Sequence, residues 1–157
     1  MKIKFVAAIL SLLLAVTSFA AEKQGFAVKY DGGSVADLKT GMDIRINPSG
    51  NTITISKGKT DVLSIPAESV TEISYGQDVH RRVGAAIGLA VISFGAGLLM
   101  ALAKSKKHYV GLTWANGDVK GGFAVQADKS DYRGLLTALE GLTGKKAVDT
   151  DALNVKN

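Results

Sequence analysis

From Val83 to Ala103 the chain reads VGAAIGLAVISFGAGLLMALA, twenty-one residues without a charge, set between Arg81 and Arg82 on one side and Lys104, Lys106 and Lys107 on the other. As one helix the stretch would run about 31 Å at about 1.5 Å per residue, close to the hydrocarbon thickness of a bilayer. Basic residues flanking such a span are drawn to anionic headgroups, each contributing on the order of 1 kcal/mol near a charged surface. The bland alternative is a buried helix whose ends carry solvated charges. The reading of this stretch decides the fold, because the sequence on both sides of it has the grammar of one β-rich unit.

Upstream, Phe26, Val28 and Tyr30 alternate with Ala27 and Lys29 before a turn at Asp31-Gly32-Gly33. Met42, Ile44 and Ile46 share a face opposite Asp43 and Arg45, and Asn47-Pro48-Ser49-Gly50 then turns the chain into Thr52 to Ser56. Lys57-Gly58-Lys59 makes a second turn, and its lysines read as soluble surface at a hairpin tip. Strands follow over Val62 to Ile65, ending at Pro66, and over Val70 to Tyr75. Downstream, His108, Val110, Leu112 and Trp114 lie on one face, with Tyr109, Gly111 and Thr113 on the other. A tight turn at Asn116-Gly117-Asp118 leads to a partner strand from Val119 to Gln126, where Gly121-Gly122 marks a bulge or a close backbone approach. Period-two alternation of this kind is the signature of strands with one buried face.

The period then changes. Tyr132, Leu135, Leu136, Leu139 and Leu142 fall at helical spacing, Asp128 is placed to cap the helix with Asp131 three residues on, and Gly144 supplies its stop. The remaining tail, residues 147–157, is polar and reads as frayed. The class is therefore mainly β (α+β): seven strands, one C-terminal helix and an apolar insertion.

Residues 1–20 read as a secretory signal peptide. Met1 to Lys4 form a short positive region, Phe5 to Val16 an apolar run, and small residues at Ser18 and Ala20 place cleavage between Ala20 and Ala21. An uncleaved signal anchor is the alternative, against which stands the shortness of the run. Loss of Lys2 and Lys4 with the leader lowers the net charge from +5 to +3, too little to argue for nucleic acid. The chain has no cysteine, so neither a lipidated cysteine nor a disulfide is available, and an exported product must be held by its core.

No pattern in the sequence carries catalysis, a cofactor or a metal. His80 and His108 stand apart and read as interfacial polar residues beside the basic flanks, and their spacing matches no usual metal site. Ser34, Ser64 and Ser130 have no identifiable base, and neither a nucleophile elbow nor a phosphate-cradling loop occurs.

The strand order, with Val70 to Tyr75, Arg81-Arg82-Val83-Gly84, Lys106-Lys107-His108-Tyr109 and the ending LLTALEGLTGK from Leu135 to Lys145, resembles a group of uncharacterised bacterial proteins. In that group a pleckstrin-homology-like (PH-like) or GRAM-like β-sandwich carries an apolar insertion between its fifth and sixth strands. The resemblance implies a seven-stranded PH-like sandwich or partly open barrel over residues 21–146, interrupted at 83–103 by an apolar helix or helical hairpin. It also implies a binding or interaction module on a membrane of the bacterial cell envelope.

If strands on both sides of the insertion join one sheet system, both of its ends lie on the same side of a membrane. Gly95-Ala96-Gly97 would permit a reversal there, since glycine reaches conformations other residues avoid. A straight helix instead brings Gly84, Gly88 and Gly95 within about 40° of one another, a face suited to close helix packing. The functional expectation is an exported, membrane-associated, non-enzymatic module that meets membrane lipids and an unidentified protein or peptide. The alternative is a homo-oligomeric, pore-like assembly through the glycine-rich helices.

Overall fold

The computed structural model describes residues 25–88 and 107–154. Eight strands form one mixed, open sheet. They are β1 (Phe26–Gly33), β2 (Asp43–Ser49), β3 (Thr52–Lys57), β4 (Thr60–Pro66), β5 (Val70–Tyr75), β6 (His108–Asn116), β7 (Val119–Ala127) and β8 (Val148–Asp149). A 3₁₀ turn, Ala67–Ser69, joins β4 to β5, and the helices are α1 (Val79–Ile87), α2 (Tyr132–Thr143) and α3 (Thr150–Asn154). The strand order is β4-β3-β2-β1-β7-β6-β5-β8. Every pairing is antiparallel except that of β8 with β5. The chain is thus mainly β, as the alternation predicts.

One face of this sheet is the core. Val28 and Tyr30 of β1, Ile44 and Ile46 of β2, Ile53 and Ile55 of β3 and Ile65 of β4 join Ile73, Val110, Leu112, Phe123 and Val125 in a single buried cluster. Helix α2 adds Tyr132, Leu135 and Leu139 to it, touching β2 in one half of the sheet and β5 and β6 in the other. A flat eight-stranded sheet would not let one twelve-residue helix do this, so the sheet curls around α2. Each large side chain fully buried here contributes about 1.5–3 kcal/mol, and in a chain without a disulfide this burial is the main term that opposes chain entropy. Gly144 ends α2 in the left-handed conformation, φ 70°, as its position predicts. The N-cap is Asp131 and not Asp128, whose carbonyl accepts instead from the N–H groups of Asp131 and Tyr132.

Three further details differ from the sequence reading. The β2–β3 hairpin closes later than its Pro48 suggests: the strand continues to Ser49, opposite Thr52, and only Gly50 and Asn51 turn, with Gly50 at φ 62°. Asp31-Gly32-Gly33 is not a turn but the end of β1, which bulges between Tyr30 and Gly32 to keep its pairing with β7. The tail is not frayed through its first half. Val148 and Asp149 add an eighth strand beside Ser74 and Tyr75, so the seven-strand count fails, and α3 follows directly. Its composition hides this, because two parallel pairs and a buried Thr150 need no apolar run.

Candidate functional site

The strands that precede and follow the apolar stretch, β5 and β6, are neighbours in the sheet, paired from Val70↔Trp114 to Tyr75↔Val110. Between them α1 lies on the face opposite the core. It begins at Val79, four residues before the uncharged run. Val79, Val83 and Ile87 recur every four residues and so share one helix face. They pack on Tyr109 of β6 and Ala124 of β7. Gly88 then stops the helix at φ 69°, with its N–H on the Ala85 carbonyl. The straight helix from Val83 to Ala103 is therefore corrected: its first turns belong to an amphipathic helix that ends at Ile87, and among the described residues no helix is long and apolar enough to cross a membrane.

Glycines in the sheet make room for α1. A Cβ at Gly111 would stand 2.6 Å from both Ser74 Oγ and Val79 Cγ1 and 2.9 Å from Val83 Cγ2. One at Gly122 would stand 3.1 Å from Val83 Cγ1 and 3.2 Å from Ile87 Cγ2. Between β6 and β7 the register runs unbroken from His108↔Ala127 to Asn116↔Val119, so Gly121-Gly122 is a close approach and not a bulge. Gly121 serves the other face, where the Trp114 ring lies against it. The contacts place α1 over β6 and β7, with Val79 and Val83 above Gly111 and Val83 and Ile87 above Gly122.

Polar pairs fasten α1 on both flanks. His80 is 6% exposed, and its Nε2 pairs with Oδ2 of Asp31, itself 5% exposed, at the end of β1. The imidazole stands edge-on to Tyr109, centroids 5.0 Å apart. It is a buried fastening and not the interfacial residue its neighbours imply. Across the helix, Arg82 forks onto Glu72 of β5, Nε to Oε1 at 2.8 Å and Nη2 to Oε2 at 2.6 Å. This bond raises the Arg82 pKa above its ordinary value. The pair is about one-third exposed, which limits its worth. Glu72→Gln keeps the shape and removes the charge; thermal unfolding is expected to show a loss of about 1 kcal/mol or less, shrinking with added salt. A salt-independent loss of several kcal/mol would contradict that role.

The chain returns from the insertion at Lys107, whose carbonyl accepts from Gln77 Nε2 at 3.2 Å. Next to it His108 stacks on Tyr132 at 3.8 Å between centroids, and Tyr132 stacks on Tyr75 at 5.8 Å. Arg133 Nε donates to the Tyr132 hydroxyl at 2.9 Å. The Tyr75 hydroxyl is pushed up, first by burial and then by the negative charge of Asp149. These rings close the rim of the core where β5, β6, α2 and β8 meet.

Of the residues that stand out in the sequence, Arg81 and Lys107 are exposed, Arg82 is engaged by Glu72, Gly84 is buried in α1 and Gly88 is its cap. Ala20, Ala21, Gly95, Lys104 and Lys106 lie outside the described residues. Glu72, Thr150 and Asp151 belong to no motif and Asp31 only to a supposed turn, so their pairing in space alone reveals them. A shallow groove of about 330 Å³ lies on the outer face of β1 and β2, lined by Lys29, Asp43, Arg45, Gly58, Gln126 and Asp128. The 2.6 Å ion pair of Lys29 with Asp43 is part of its wall. Among the described residues no cluster of three or more His, Asp or Glu side chains could hold a metal ion. No family model and no curated protein matches this chain.

Proposed function

We propose that the chain is an exported, membrane-associated, non-enzymatic binding module of the bacterial cell envelope, PH-like or GRAM-like in build. Its apolar insertion meets lipid from one side, and its β-domain engages a protein or peptide partner. The observation that carries this reading is the pairing of β5 with β6, which brings both ends of the insertion back to one sheet. A segment tethered in this way leaves and re-enters the same compartment unless the sheet opens. Fastening of α1 on both flanks supports it, since it holds the start of the insertion on the same sheet that receives its end. Gly84 packs within its own chain, which favours this module over a glycine-mediated assembly.

The test is topological. With one epitope in the Gly50-Asn51 turn and another after Asn157, both are expected to show the same protease sensitivity in sealed membranes, while the protein resists carbonate extraction. Protection of only one epitope would refute the one-sided insertion, and carbonate release would refute membrane association.

A further inference from the structure

Helix α1 starts without a cap of its own. Asp78 occupies the N-cap position, and its side chain makes no capping hydrogen bond. The N–H groups at a helix start need acceptors, and for Gln77 and Asp78, which lead into α1, the far end of the chain supplies them. Asp151 Oδ1 accepts from the Gln77 N–H at 2.8 Å, and Thr150 Oγ1 accepts from the Asp78 N–H at 3.2 Å. Thr150 is only 2% exposed. Both side chains sit so close to Gly76, at φ 121°, that no Cβ would fit there.

The segment that delivers these acceptors is itself tied down at several points. Glu140 Oε1 accepts from the Ala147 N–H at 2.7 Å, Val148 and Asp149 pair with Ser74 and Tyr75, and Asp149 Oδ1 accepts from the N–H groups of Asp151 and Ala152 at 3.0 and 3.2 Å. The attachment is nevertheless slight. It comprises a two-residue strand and side-chain bonds, several of them exposed, the kind of unit that opens locally while the rest of a fold stays closed.

We infer that residues 147–152 form a C-terminal strap, a conformational device that caps the start of α1 from a distance and so sets whether the root of the apolar insertion stays seated on the sheet. When the strap opens, Gln77 and Asp78 lose their acceptors and Gly76 becomes a free hinge. α1 is then loosened together with the β5 edge that β8 covered, while the β1–β4 meander, which does not pair with the strap, is not.

Hydrogen exchange tests this in the full chain, purified in mild detergent, with Thr150→Ala and Asp151→Ala combined. Exchange over residues 79–87 is expected to rise on the order of tenfold, with the β2–β3 hairpin unchanged. Thr150→Ser alone, which keeps the hydroxyl, should leave α1 as protected as in the parent. Unaltered exchange in α1 would overturn the inference. So would an equal rise in the hairpin, because the strap would then be one more part of global stability. Lipid plays no part in this measurement, so its result is independent of the membrane reading.

Discussion

Asp31→Ala is expected to lower the melting temperature by about 10 °C, the largest effect of any single polar substitution in this fold. The change takes the carboxylate away from an imidazole that is 6% exposed, and removing one member of a buried pair costs on the order of 3–5 kcal/mol. For a chain of this size each kcal/mol moves the midpoint by about 2–4 °C. The penalty arises from keeping the His80 imidazole buried without its carboxylate more than from the lost bond, so replacing both residues should undo most of it. Calorimetry on Asp31→Leu combined with His80→Leu is expected to recover more than half of the loss. If the double variant melts lower than Asp31→Ala, the pair is not the fastening described above.

The second large effect is local. Gly111→Val puts a branched side chain where even a Cβ would stand 2.6 Å from Val79 and 2.9 Å from Val83. Valine suits a strand, so β6 itself should not suffer, and the clash falls on Val79 and Val83 of α1 and on the Ser74 hydroxyl of β5. Overpacking of this kind costs about 1–3 kcal/mol, which can be read as exposure of the helix face. Because the chain has no cysteine, Val83→Cys is a clean reporter at a position that is 0% exposed in the parent. Its alkylation is expected to accelerate on the order of a hundredfold when Gly111→Val is added, with the sheet's circular dichroism unchanged. An unchanged labelling rate would mean that α1 is not seated on these glycines.

What is legible in the sequence follows a physical division. Period-two alternation is local, so it alone assigns the two faces of β6: Val110 and Leu112 enter the core while Tyr109 and Gly111 meet α1. The apolar stripe and the stop at Gly144 make α2 equally legible. Pairings over distance are not. His80 meets Asp31 across 49 positions, and without that partner its place beside two arginines points to an interface. Likewise hydropathy starts α1 at Val83, since it counts only the apolar half of an amphipathic turn, while Val79 lies behind three polar residues. Strand β8 escapes notice because two residues carry no period at all.

The adjacency of β5 and β6 has an entropic consequence. The chain that joins Gly88 to Lys107 has its two ends already held by the sheet, and the cost of closing a connection depends only weakly on its length, about 0.6 kcal/mol per doubling. Folding of the sheet is therefore nearly indifferent to how long the insert is. The chain between Gly88 and Lys107 is in effect a cassette: mutation could lengthen, trim or exchange it without renegotiating the stability of the body that carries it.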